Sequence, residues 1–207
     1  MSPKQIAKLL LQINAIKLKP ETPFTWSSGK KSPIYCDNRL ILSYPEIRQN
    51  IAETLTAYAQ QEFKKTEIIA GVATAGIPHG VLIAHTMNLP FVYVRSSEKK
   101  HGRKNKIEGE LGQNKKVLII EDLISTGKSS LHVANTLKNY GCEILGILSI
   151  FNYNFITTKE MFKQEKMKIF SLCNFNDLII VGEEENYISK NQLTIIKDWH
   201  VNFYSKN

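Results

Sequence analysis

The chain has 207 residues, of which 43% are hydrophobic, and 27 Lys and Arg stand against 19 Asp and Glu for a net charge of +8. That length and apolar content suffice for a sizeable core, which excludes a disordered chain and a disulfide scaffold. The longest apolar runs, such as Val81 to Ala84 and Val117 to Ile120, are far short of the ~20 residues that cross a bilayer. The first residues show no signal-peptide apolar core, and Cys36, Cys142 and Cys173 are odd in number and widely spaced. A cytoplasmic protein with reduced thiols is the expectation.

In chain order, Ser2-Pro-Lys-Gln5 has the form of a capping box, followed by Ile6, Leu9, Leu10 and Ile13 at helical spacing. Residues 19–43 break into prolines, Gly29 and hydroxyls, with short strands predicted at Ile34 to Cys36 and Leu40 to Leu42. Ser43-Tyr-Pro-Glu46 repeats the capping logic and opens a helix to about Phe63. Buried-type strands at 68–73, 91–94, 117–120 and 144–151 then alternate with helices at 77–87 and 129–140. A helix at 158–164, a strand at 169–172 and two further helices, the last opened by Ser189-Lys-Asn-Gln192, complete the pattern. The alternation predicts an α/β fold with a central parallel sheet covered by helices on both faces.

Charge is unevenly placed. Arg95 to Lys106 holds six basic residues and one acid, +5 of the total +8, within a polar stretch of about 95–110 that also carries Gly102 and Gly109. Long polar loops between good strands are usually functional or disordered.

The strand Val117 to Ile120 ends in Glu121-Asp122 and runs through Ser125-Thr126-Gly127 into a helix. In an open α/β sheet that is where ligands bind. The hydroxyls, the backbone N–H groups and the helix N-terminus suit a phosphate monoester, and the acids suit sugar hydroxyls or hydrated Mg²⁺. Read alone, the same residues also fit an ordinary βα loop with surface acids. A mononucleotide P-loop does not fit, because Asp122 stands where its first glycine is required. No Gly-x-Ser-x-Gly elbow, no His-Glu-x-x-His pair and no activated-cysteine context occurs.

Glu121 to Ser129 after a hydrophobic strand resembles the phosphoribosyl-pyrophosphate (PRPP) motif of type I phosphoribosyltransferases, and Phe24 to Arg39 together with Arg95-x3-Lys99-x-His101-Gly102 is similar to the orotate phosphoribosyltransferases. The resemblance implies a type I phosphoribosyltransferase fold: a five-stranded parallel core sheet with flanking helices and a small N-terminal hood. It implies one domain over 1–207, with the hood mainly from about 1–42, a mobile catalytic loop at about 95–110, and no appended decarboxylase domain. The reaction implied joins orotate to PRPP, giving orotidine 5′-monophosphate and pyrophosphate in UMP synthesis. Mg²⁺ would be the cofactor, carried in on PRPP with no direct protein ligand.

By the same resemblance, Lys99 and His101 would be catalytic. Arg95, Lys99, His101 and the run Glu121, Asp122, Leu123, Ile124, Ser125, Thr126, Gly127, Lys128 and Ser129 would bind PRPP, and Ser125 would also touch orotate. Ala73 to Gly76 would approach the pyrophosphate, and Ser27 to Lys31 would lie over the base. The protein would be a homodimer whose 95–110 loop acts in the neighbouring subunit, with no nucleic-acid or membrane partner. The sequence departs from one branch of the family at Ser27, Ala75 and the Asn152-Tyr153 pair, where that branch has cations, so Arg39 or Lys31 becomes the candidate for the orotate carboxylate. Lys128 replaces a glycine and either faces the 5-phosphate or points to solvent. A regulator that senses PRPP and holds nucleic acid through the basic stretch is the rival reading; the stretch lacks interleaved aromatics for base stacking. A phosphoribosyltransferase for another base is the nearer rival.

Overall fold

Ser2 accepts the Gln5 N–H at 3.3 Å while Gln5 Oε1 accepts the Ser2 N–H at 2.8 Å, so the predicted capping box starts the first helix, α1 (Pro3–Gln12). The computed structural model describes residues 1–26, 28–95 and 106–203. After α1 the chain forms four short strands: β1 (Ile16–Leu18), β2 (Phe24–Thr25), β3 (Lys31–Ser32) and β4 (Ile34–Cys36). β1 pairs with β4 and β2 with β3, both antiparallel. Residues 40–42 are not the strand expected from their apolar run. Asp37 accepts the Arg39 N–H and opens a 3-10 helix, Asn38–Ser43, instead. Ser43 belongs to that turn, so the following helix α2 (Pro45–Glu62) is capped by Tyr44, without a side-chain hydrogen bond.

The alternating region gives β5 (Ile68–Val72), α3 (Gly76–Met87), β6 (Phe91–Val94), β7 (Ile107–Glu108), β8 (Lys116–Ile124), α4 (Lys128–Asn139) and β9 (Glu143–Asn152). It closes with α5 (Ile156–Gln164), β10 (Ile169–Asn174), α6 (Phe175–Glu184) and α7 (Lys190–Asn202). The main sheet has the order β10-β9-β8-β5-β6-β7. Five strands are parallel, and β7 adds an antiparallel edge against β6, which the polar stretch around it concealed.

Side chains of each strand divide between two layers because successive residues face opposite sides. In β8, Leu118 and Ile120 pack with α1, α2, α3 and α6, whereas Val117 and Ile119 pack with α4 and α5. All four are fully buried. α3 leaves β5 on one face toward β6, and α4 leaves β8 on the other face toward β9. The connections therefore diverge between β5 and β8, and a crevice opens at the carboxyl ends of those adjacent strands. Among the described residues no helix is long and apolar enough to cross a membrane.

Close packing fixes the sheet against α2. A Cβ built on Gly146 of β9 would lie 2.5 Å from the Phe63 ring and 2.9 Å from the Lys168 carbonyl. Gly146→Ala should lower stability by about 1–3 kcal/mol. A urea midpoint equal to the wild type's would contradict that packing.

Candidate active site

The crevice is floored by the end of β8. Gly76, first residue of α3, presses so closely on β8 that a Cβ there would lie 2.5 Å from the Ile120 carbonyl oxygen and 3.4 Å from Glu121 Cα. Glu121 is consequently 5% exposed and Asp122 half-buried. Ser130 of α4 donates to Glu121 Oε2 at 3.1 Å, the Asp122 N–H donates to Glu121 Oε1 at 3.1 Å, and Asn38 Nδ2 donates to the Asp122 carbonyl at 2.8 Å. Burial, with the Asp122 charge beside it, pushes the Glu121 carboxyl well above its ordinary range. Burial also raises Asp122.

Beyond the acids the loop is tied down through its carbonyls. The Tyr153 N–H donates to the Ile124 carbonyl at 2.9 Å, and Thr158 Oγ1 of α5 donates to the Ser125 carbonyl at 2.9 Å. Gly127 has φ +73°, and a Cβ on it would meet Phe162 at 2.5 Å and Met161 at 2.8 Å, so both backbone and packing demand glycine. The first N–H groups of α4, which have no acceptor within the helix, face outward beside Ser125 and Thr126. This is an anion cradle next to a pair of buried carboxylates.

The cradle opens into one cleft of about 880 Å³ whose far wall comes from the N-terminal hairpin and from elements late in the chain. Leu123, Ser125, Thr126 and Lys128 line the near side; Trp26, Lys30, Tyr35, Cys36 and Arg39 line the hood side, with Tyr153 and Phe203 between them. Trp26 Nε1 donates to the Ile34 carbonyl at 3.1 Å, and the Trp26 ring packs on Tyr153 and Phe203 with centroids 5.3 Å away in each case. The Cys36 thiol is pushed up by burial and by the nearby Asp122 charge, which suits a wall and not a nucleophile.

Of the expected site residues, Glu121, Asp122, Ser125, Thr126, Gly127, Lys128 and Ser129 stand together at this one strand end. Ile124 is fully buried in the core, so it can meet a ligand only through its backbone. Lys128 is exposed and lines the cleft, which unites the two alternatives for it. Arg95 lies at the end of β6, beyond the Ala73 to Gly76 turn; its N–H donates to the Lys106 carbonyl at 2.9 Å, and its guanidinium is 3.4 Å from Glu108 Oε1. Lys99, His101 and Ser27 fall outside the described residues. Phe203, an aromatic residue just past a helix end, carries no sequence signal, and Tyr153 stands out in the sequence only as part of the Asn152-Tyr153 departure, not as a wall of the cleft. Among the described residues, no cluster of three His, Cys, Asp or Glu could cage a metal.

A family model, the phosphoribosyl transferase domain, matches residues 40–187. The orotate phosphoribosyltransferase of Staphylococcus saprophyticus is 48% identical over 96% of this chain and 98% of its own length. That of Malacoplasma penetrans is 49% identical over 94% of each.

The chain belongs to the orotate phosphoribosyltransferase family.

Solved structures agree on the fold. A Leishmania donovani UMP synthase superposes with a TM-score of 0.82 at 26% identity, covering 99% of this chain, which spans 43% of that longer one. An orotate phosphoribosyltransferase from Aeropyrum pernix gives 0.76 at 23% identity, over 89% of this chain and 99% of its own. In this family member burial makes the acid pair costly to hold charged. A carboxyl raised by folding lowers stability above its folded pKa, and the cost vanishes below the ordinary values, 4.5 for Glu121 and 3.8 for Asp122. Asp122→Asn removes one charge of the pair, so the free protein should melt a few degrees higher at pH 8. The gain should shrink as pH falls toward 4, and calorimetry showing a lower midpoint at pH 8 would refute the electrostatic reading.

Proposed function

We propose that the protein transfers the 5-phosphoribosyl group of PRPP to orotate, giving orotidine 5′-monophosphate and pyrophosphate in the synthesis of UMP. The observation that carries this reading is one cleft in which the anion cradle at Ser125 to Lys128, next to the buried acids, faces an aromatic wall of Trp26, Tyr153 and Phe203. The whole chain then works as one phosphoribosyltransferase domain in the cytoplasm, with a hood from about 1–42 and a catalytic loop at about 95–110.

Ser125 to Ser129 and the α4 N-terminus hold the 5-phosphate. Glu121 and Asp122 accept hydrogen bonds from the ribose hydroxyls, which removes the penalty their burial imposes. Displacement at the sugar C1′ by a ring nitrogen of orotate needs no nucleophile from the protein, consistent with the raised thiols of Cys36, Cys142 and Cys173. As the bond to pyrophosphate lengthens, positive charge grows on the sugar and negative charge on the leaving group. The acid pair beneath the ribose favours the first, and Arg95, Lys99 and His101 favour the second. Mg²⁺ brought in on PRPP supplies further neutralisation of the pyrophosphate. Ser125, on the near side of the cleft, also touches orotate. Loop 95–110 of one subunit serves the neighbour's site in a homodimer, excluding water at closure.

Loss of orotate ultraviolet absorbance on adding PRPP and Mg²⁺ should follow enzyme concentration; no loss with any PRPP preparation overturns the assignment. Lys99→Ala should cut turnover by roughly 10²-fold or more with the melting midpoint unchanged. Lys99→Ala and Asp122→Asn, each inactive alone, should regain about a quarter of wild-type activity when mixed and re-equilibrated, because half the dimers then hold one intact site. Absence of any regain shows that the loop acts within its own subunit.

A further inference from the structure

Resting on the orotate reading, we propose that Lys30 is the cation that pairs with the substrate's carboxylate, and that Phe203 of the last helix is the positioning residue that aims it. An anionic pyrimidine differs from a neutral one chiefly by this carboxylate, and a buried-edge carboxylate needs a charged donor facing it. Among the described lining residues the cleft has three cations, Lys30, Arg39 and Lys128. Lys128 begins α4 and so stands at the phosphate end. Arg39 is closed on Asp37 through two contacts, Nε to Oδ1 at 2.6 Å and Nη2 to Oδ2 at 2.8 Å. That pair is neutral as a unit, with two of the guanidinium's donors already taken up by one carboxylate.

Lys31, the other candidate from sequence, is excluded by alternation along the hairpin. Adjacent residues of an extended strand face opposite sides. Lys31 is exposed and its Nζ donates to Thr25 Oγ1 at 2.6 Å, at the rim of the cleft, without lining the cleft itself, whereas Lys30 is half-buried and lines it. The turn that sets this phase is tight: the Trp26 N–H donates to the Lys30 carbonyl at 2.9 Å, the Gly29 N–H donates to the Trp26 carbonyl at 2.8 Å, and Gly29 has φ +82°.

The last helix then fixes the lysine. Lys30 Nζ lies 4.9 Å from the Phe203 ring centroid, a cation–π distance. Phe203 is itself stacked on Phe155 at 4.3 Å with planes 9° apart, and Trp199 Nε1 donates to the Lys31 carbonyl at 3.0 Å. The hairpin is thus gripped by α7 at two consecutive residues. The ring of Phe203 thereby holds the Lys30 ammonium on the wall of the same cleft that Trp26 and Tyr153 line.

The test compares wild type, Lys30→Gln, Lys30→Arg and Phe203→Leu with orotate, PRPP and uracil. Lys30→Gln should raise the KM for orotate about 10- to 100-fold, the loss of a hydrogen bond between charged groups. The KM for PRPP should not move, uracil turnover should be unchanged, and the preference for orotate over uracil should fall by the same factor. Lys30→Arg should restore most of it, and Phe203→Leu should raise the orotate KM several-fold at unaltered PRPP KM. A wild-type enzyme active on orotate whose Lys30→Gln variant keeps both the orotate KM and the preference over uracil overturns the role of Lys30. Unequal effects on Lys30 and Phe203, with Phe203→Leu silent, overturn the positioning role alone. A wild type inert toward orotate overturns the function itself, a distinguishable result.

Discussion

Divergence of two helices from adjacent strands governs the whole molecule. α3 and α4 leave β5 and β8 on opposite faces of the sheet, so neither covers the strand ends between them. Everything chemically useful gathers in that gap. Backbone N–H groups that a covering helix would have buried remain available at the start of α4, and Glu121 and Asp122 sit where a continuous core would tolerate neither. The demand for glycine follows from the same geometry, since Gly76 and Gly127 lie where each helix presses against the scaffold at the rim.

The gap is electrostatically lopsided by construction. Two carboxylates with raised pKa lie on its floor, while the described cations Lys30, Arg39 and Lys128 line the cleft above them. A substrate that is anionic at its ends and hydroxylated in its middle matches this distribution. The net charge of +8, which taken alone points toward nucleic acid, is under the proposed function largely the counter-charge for such a ligand.

Much of this was legible in the sequence for identifiable reasons. Fully apolar strands and capped amphipathic helices announce themselves through period and punctuation, as at Ser2-Pro-Lys-Gln5 and Val117 to Ile120. The acid pair followed by hydroxyls and Gly127 is legible because a phosphate loop needs those residue types in that order. Other features depend on contacts remote in the chain. Leu40 to Leu42 has a strand's composition, but Asp37 captures the Arg39 N–H and turns the backbone. β7 is two residues long and exists because β6 offers an edge. Choosing among Lys30, Lys31 and Arg39 requires knowing the hairpin's phase, Asp37's partner and the ring of Phe203, none of which spacing reveals.

The aromatic wall has a spectroscopic corollary. The chain has two tryptophans, and both stand at the hood side of the cleft: Trp26 on its surface and Trp199 behind it, with ring centroids 6.1 Å apart. The sheet contains none. Light absorbed selectively by indole is therefore emitted only from the region where hairpin and last helix meet. Intrinsic fluorescence in this protein reports whatever enters the cleft beside Trp26 and the docking of α7, and it is blind to the β-sheet that supports them.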